Sequence, residues 1–256
     1  MCLIVFANNF HKDYKLIFAA NRDEFYNRPT EAAHLWNNYP ELLAGQDLEA
    51  GGTWMGITKS GRFAAITNYR DMKSIKENAP SRGNLTLDFL TSDISPEKYF
   101  SQISSELKNY NGFNLILGDV DNLFYISNIQ SELKKIEPGI HGLSNAFLDT
   151  KWPKVDTSKQ RLEKSISDNQ ISEEVLMKIL DDKSFAEDEN LPETGVGIEL
   201  ERVLSSVFIK TEKYGTRCST VLLIDQQDNV QFIERTYLPA KDKFIRNEFK
   251  FDIKGD

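Results

Sequence analysis

Cys2-Leu3-Ile4-Val5-Phe6-Ala7 follows directly on Met1, and Asn21-Arg22-Asp23-Glu24 follows directly on the next apolar run, Lys15 to Ala20. The polar stretch Asn8 to Tyr14 between the two runs reads as the turn of a hairpin. A cysteine at the start of a first strand has a chemical option closed to any other. Removal of Met1 would leave its thiol and a free α-amine on one residue, a nucleophile carrying its own base. A free thiol titrates near ~8.5 and an α-amine near ~7.7 to 8.0, so the proton passes between them at small cost near neutral pH. The alternative is a small buried hydrophobe, as most unpaired cysteines are. Side chains alternate across a strand, so Asn21 and Asp23 share one face and Arg22 and Glu24 the other. A carboxylate and a guanidinium beside a thiol can orient an ammonium and favour a thiolate, but both reach Cys2 only through a bulge or turn. The alternative is a solvated strand end with a surface ion pair.

Composition bounds the class. At 256 residues the chain can bury a large core, and no internal composition break divides it. The start has no basic segment, no apolar stretch of signal length and no small-residue cleavage site, which predicts a cytoplasmic protein. No segment approaches the ~18 to 20 apolar residues of a membrane span. The net charge of −8 argues against nucleic acid as a partner. Cys2 and Cys218 are too few for a disulfide framework, and neither they nor His11, His34 and His141 have metal-ligand spacing. No metal or resident cofactor is expected.

Along the chain, a loop carrying Arg28-Pro29 and Tyr39-Pro40 follows the first hairpin. Thr53 to Thr58 and Arg62 to Asn68 read as a second hairpin, and Asn114 to Gly118 with Leu123 to Ser127 as a third. Leu85 to Leu90 suggests a short helix, Pro96 sits near the start of another, and Gly139 to Asn145 is a loop and short strand. Helices are expected from Trp152-Pro153 through Leu162 and from Ile171 to Leu180, then an acidic loop from Ala186 to Gly197. Arg217 to Asp225, Val230 to Tyr237 and Glu248 to Ile253 are strands. Strands, then helices, then strands predict two largely antiparallel sheets face to face with helices outside, an α+β layered sandwich.

Cys2, Asn21-Arg22-Asp23-Glu24, Gly51-Gly52-Thr53-Trp54-Met55-Gly56, Thr67-Asn68-Tyr69 and Tyr214-Gly215-Thr216-Arg217 together resemble the NRDE family, named for the tetrapeptide, which includes the transport and Golgi organisation proteins. The match runs from Cys2 to about Asp225. It implies a single domain over residues 1–256 with the N-terminal nucleophile (Ntn) hydrolase fold, four layers αββα, and Cys2 at the end of an inner-sheet strand. More distantly the chain is similar to the choloylglycine and penicillin V acylases and to acyl-coenzyme A acyltransferases of that fold. Those relatives usually read Arg-Asn-x-Asp where this chain reads Asn21-Arg22-Asp23, so Asp23 carries over more directly than Arg22.

The resemblance implies a site. Cys2 attacks an acyl carbon, its α-amine takes and returns the proton, and Asp23 holds that amine. Asn68 and Asn145 match the relatives' oxyanion and amine-binding asparagines, with Asn145 the stronger of the two; each could otherwise be a turn-former. Arg217 resembles a site arginine, and alternation then aims Cys218 the other way, into packing. For substrate contacts, Gly52 admits close backbone approach. Thr53, Trp54 and Asn21 lie in the same motifs, and Trp54 and Trp36 also read as core or cover. Arg82, just before a helix, could meet a phosphate such as that of coenzyme A. His141 reads as a loop histidine bonded locally. Two functions follow: a cysteine Ntn hydrolase cleaving an amide or acyl thioester, or a non-catalytic carrier of acyl-coenzyme A, lipid or haem in the same pocket. The family's association with lipid and acyl-coenzyme A homeostasis, haem trafficking and Golgi organisation leaves both open, and the sequence is silent on oligomeric state.

Overall fold

The hairpin at the chain start is the centre of the structure. The computed structural model describes residues 2–238 and 243–254. In chain order the strands begin with β1 (Cys2–Asn8), β2 (Tyr14–Phe25), β3 (Thr30–Trp36), β4 (Tyr39–Asp47), β5 (Met55–Thr58) and β6 (Arg62–Asn68). They continue with β7 (Phe113–Asp119), β8 (Leu123–Ser127), β9 (Glu132–Lys135), β10 (Gly139–Leu143), β11 (Tyr214–Asp225), β12 (Asn229–Leu238) and β13 (Lys243–Asp252). The helices are α1 (Gly83–Leu90), α2 (Pro96–Ile103), α3 (Pro153–Ser167), α4 (Glu173–Leu180) and α5 (Ile198–Leu204).

Every strand pair is antiparallel. One sheet has the order β10-β1-β2-β11-β12-β13 and the other β3-β4-β5-β6-β7-β8-β9. Alternation along β1 and β2 explains how they stack. Ile4, Phe6, Leu16 and Phe18 face inward and meet Ile57, Phe63 and Ile116 of the other sheet in one core. Val5, Ala7, Ile17 and Ala19 face outward under Leu162 of α3 and Leu176 and Leu180 of α4. On the far side, Ala64, Leu115 and Leu117 pack under Leu85 and Phe89 of α1 and Tyr99 of α2. This is the expected four-layer αββα, α+β sandwich.

The helices start where local chemistry permits. Ser172 accepts from the Val175 amide and puts Glu173 and Glu174 in the first turn of α4, satisfying an orphan donor and complementing the helix dipole. Ser95 and Pro96 start α2 in the same manner.

Four elements differ from the sequence expectation. The loop expected around Pro29 and Pro40 is instead β3 and β4, in which Ala33, Trp36, Leu42 and Leu43 are buried. Bulges in the β3–β4 register break the alternation that would have revealed them, and Pro40 lies at the exposed start of its strand. The edge strand β9 carries Glu132, Lys134 and Lys135 and has no apolar periodicity. Helix α5 follows directly on the acidic loop and was not anticipated.

Gly52 shows how closely the sheet layer meets the helix above it. A Cβ there would lie 2.5 Å from the Gly83 carbonyl carbon and 2.8 Å from the Asn84 nitrogen, backbone that cannot rotate away. We expect Gly52→Ala to lower stability by about 1–3 kcal/mol in urea unfolding; an unchanged midpoint would show that the start of α1 yields freely.

Candidate functional site

The register of the six-stranded sheet places four side chains in a row. Cys2 of β1 lies opposite Arg22 of β2, Arg22 opposite Cys218 of β11, and Cys218 opposite Thr236 of β12. Directly paired residues of antiparallel strands project to the same face, so all four point between the sheets. They line one side of a cavity of about 380 Å³. Its opposite side comes from the second sheet and its loops, with Asp47 of β4, Thr53 and Trp54, Asn68 of β6, and Arg82 before α1.

The row depends on a bulge. Thr216 pairs with Asp23 and Cys218 with Arg22, which leaves Arg217 as the extra residue. The bulge overturns the expected burial of Cys218 away from Arg217, because both residues line the cavity.

Among the described residues the Arg22 guanidinium makes no hydrogen bond, and its nearest carboxylate oxygen, on Asp47, is 3.9 Å away. The Asn68 amide likewise makes no hydrogen bond among the described residues, and Arg82 makes one, to the Gly112 carbonyl at 3.1 Å. These are donors still available to a ligand. Arg217 differs. Its guanidinium donates to the carbonyls of Phe25 and Arg28 and to the Thr30 hydroxyl at 2.8, 2.9 and 3.0 Å, pinning the β2–β3 connection that forms the rim.

Asn145 is buried but does not line the cavity. Its Nδ2 donates to the Asn68 backbone carbonyl at 2.8 Å, and its own carbonyl accepts from the Arg70 amide. It therefore anchors the segment that presents Asn68, reversing the expected ranking of the two. Asn21 also departs from expectation. It faces the outer layer, donating to the carbonyls of Leu180 and Val207, both at 2.9 Å, and accepting from the Ser219 hydroxyl. With these bonds made it ties α4 to the sheet and is no substrate contact. Gly52 too lies outside the cavity lining, its role being the close approach to Gly83. Thr53 and Trp54 do line it, Thr53 with its hydroxyl donating to the Met55 carbonyl. Trp36 is core, its Nε1 bonded to the Ala44 carbonyl. His141 bonds Asp149 and the Glu137 carbonyl.

Asp23 follows Arg22 on β2 and lines the same cavity as Cys2. Its Oδ1 accepts from the Thr216 hydroxyl at 2.8 Å and its carbonyl from the Tyr214 hydroxyl at 3.1 Å. Burial raises its pKa, against the pull of the Lys154 cation, the Thr216 bond and Arg22. Burial also pushes the Cys2 thiol up, and the Asp23 charge adds to this. A backbone hydrogen bond from Asp23 and the Arg22 charge pull the thiol down. Cys2 itself is 8% exposed. Met1, whose removal the nucleophile reading requires, lies outside the described residues.

Sequence reading missed two buried groups. Glu234 is 2% exposed and lines the cavity. It accepts from the Ala33 amide at 2.8 Å and the Thr236 hydroxyl at 3.1 Å. Burial raises its pKa, and burial with the neighbouring Glu234 charge holds the Cys218 thiol well up. Its signal was present, since Val230, Phe232, Glu234 and Thr236 share one strand face and a carboxylate there breaks an apolar series. Lys154 in the first turn of α3 is 4% exposed and donates to the Leu204 carbonyl at 3.0 Å. Nearby, Arg70 pairs with Glu201 at 3.2 Å and lies over the Trp152 ring. A lysine two residues after a tryptophan carried no such message in the sequence. Among the described residues no group of three or more His, Cys, Asp or Glu could hold a metal ion. No helix among them is long and apolar enough to cross a membrane.

Burial depresses Lys154 from 10.5 to about 8, so at neutral pH the folded chain bears roughly 3 kcal/mol of unfavourable charge burial. The sign follows. Between about 8 and 10.5 the unfolded chain holds the proton that the folded chain has released, so this contribution to stability rises with pH. Asp23 acts oppositely in the acid range: its raised pKa contributes stability below the usual 3.8, lost as pH rises through the folded value. Lys154→Met should therefore match or exceed the parent in urea unfolding at neutral pH, and the stability of the parent relative to the variant should rise between about 8 and 10.5, whatever the raised thiols of Cys2 and Cys218 add to both profiles. A parent-minus-variant difference flat across that window would refute the depressed lysine.

Comparison with known proteins places these features in context. The family model described as Transport and Golgi organisation 2 matches residues 1–239. The mouse Transport and Golgi organization 2 homolog is 35% identical over 277 residues, covering 100% of both chains. The human Transport and Golgi organization protein 2 homolog is 36% identical, covering 93% of this chain and 94% of its own length. Among solved structures, a mutant conjugated bile acid hydrolase from Clostridium perfringens superposes with a TM-score of 0.51. That likeness, at 11% identity, covers 99% of this chain and 92% of the other and is a likeness of fold.

Proposed function

This chain belongs to the Transport and Golgi organisation 2 family, and on that premise we propose that its cavity is a cysteine N-terminal nucleophile site cleaving an amide or an acyl thioester. One observation carries the reading. The sulfur at the start of β1 shares a cavity with two donors, Arg22 and the Asn68 amide, that make no hydrogen bond among the described residues. Donors left open beside a buried nucleophile suit an oxyanion that exists only during reaction, and removing one such donor typically costs ~100 to 1000-fold in turnover.

With Met1 removed, the Cys2 α-amine takes the thiol proton as the sulfur attacks the acyl carbon. Burial pushes the thiol pKa up, which is why the sulfur needs such a base. Asn68 donates to the resulting oxyanion, and Arg22 sets the field across it. The leaving amine or thiol departs with the proton returned by the α-amine, leaving an acyl thioester on Cys2. Water then attacks that thioester, giving up its proton through the same amine, and the acid and the free thiol are restored. Asp23, fixed by Thr216, holds the charged amine. Asn145 contributes by anchoring Asn68, and Arg217 by fixing the rim.

A second reading, a carrier of acyl-coenzyme A, rests on Arg22 and Arg82 facing the cavity, since two guanidinium groups suit a phosphate that is held rather than cleaved. Haem as cargo would meet the sulfurs of Cys2 and Cys218 rather than an imidazole, as none of the three histidines lines the cavity.

The test is paired. Intact mass of protein from its native host should show Met1 absent. Cys2→Ala should then abolish hydrolysis of acyl thioesters while ligand affinity stays within about threefold. Undiminished turnover in that variant would end the hydrolase reading. Retained Met1 with tight acyl-coenzyme A binding would establish the carrier.

A further inference from the structure

We propose that a second cavity, on the outer side of the six-stranded sheet, binds a phosphate-bearing aromatic ligand of nucleotide type. It has a volume of about 440 Å³ and lies between α4 and the ends of β11, β12 and β13, within the size range of small-molecule sites.

Its charge is the reverse of the chain's. Lys178, Lys183, Lys210, Arg235 and Lys243 line it, against the carboxylates of Glu174 and Asp181. Lys183 pairs with Asp181 at 3.2 Å and Arg235 with Glu173 at 2.8 Å, and in a protein of net charge −8 the cations of this wall still outnumber its carboxylates, a focus for an anion. A cluster of surface lysines alone would be a solvated face. Here the cations stand against aromatic walls.

Phe208 and Tyr237 meet edge to face at 4.8 Å, and Tyr237 and Phe244 at 6.1 Å. The Lys183 ammonium lies 5.0 Å from the centre of the Phe208 ring, and the Arg235 guanidinium 5.0 Å from that of Phe244. Rings and cations are thus presented together, as recognition of a flat base joined to a phosphate requires.

The arginine adds a specific vacancy in bonding. Arg235 donates through Nη2 to Glu173 at 2.8 Å, while its buried Nε has no hydrogen-bond partner among the described residues. A buried donor without an acceptor is costly. Thr216, whose hydroxyl holds Asp23, also lines this cavity, which therefore lies directly behind the front site without sharing its donors.

The experiment is calorimetric titration of the full chain with ADP, adenosine and inorganic pyrophosphate. ADP should bind, with adenosine and pyrophosphate each weaker by about tenfold or more. Lys178→Gln combined with Lys183→Gln, both at exposed positions, should weaken ADP by about tenfold or more, with an unchanged urea midpoint showing that the variant is folded. Arg22→Gln and Cys2→Ala, both in the front cavity, should leave it within about twofold, so failure of this site and failure of the hydrolase reading are separable. Absence of ADP binding overturns the proposal. So does pyrophosphate binding as tightly as ADP, which would mean a bare anion patch. Equal loss on Arg22→Gln would place the ligand in the front cavity and overturn it as well.

Discussion

The register of β1 against its two neighbours is the constraint on which the rest depends. Leu3 to Ala7 are buried on both faces, with Ile4 and Phe6 filling the core between the sheets and Val5 and Ala7 meeting the helices outside. A slip by one residue would exchange these sets and turn every side chain over. It would also move the Cys2 sulfur from the cavity to the helical face. The apolar residues that follow the cysteine are therefore what aim it, and the same register sets Arg22 beside it and Cys218 beyond.

Around this apolar frame the structure buries a cluster of polar groups at one end of the sheet. Asn21, Ser219, Thr216 and Asp23 form bonds that join β2 and β11 to each other and to the segments carrying Leu180, Val207 and Ile209. Lys154, Arg70 and Glu201 extend the cluster into the layer of α3 and α5. Buried ions add little net stability over apolar packing, and the Lys154 charge is held at a cost. In the functional reading this end of the molecule keeps charge beneath the start of the chain and leaves donors open above it.

Much of this was legible in the residues. The three hairpins, the flanks of α1 to α4 and the returning strands all followed from alternation, turn residues and capping, because these are local signals. The family motifs brought Cys2, Arg22, Asp23, Asn68 and Arg217 to one end of the sheets, although the assignments of Asn21, Gly52 and Cys218 did not survive and Asn145 fell back to an anchoring place. In each case the cause is tertiary. Asn21 is claimed by carbonyls from distant segments, Gly52 by the backbone above it, and Cys218 by a bulge. The strands β3 and β4 were hidden because prolines and irregular register erase the two-residue period.

What the sequence determined by itself was the layered α+β architecture and the presence of a cysteine placed to become the first residue of a strand, since both follow from periodicity and position along the chain. What only the tertiary structure decided was which polar groups remain open to a ligand. Hydrogen-bonding capacity is consumed by partners far away in sequence: Asn21, Asn145 and Arg217 are occupied, while among the described residues Arg22 and the Asn68 side chain make no hydrogen bond. No spacing of residues reveals that difference, because it is settled by packing across the sheets.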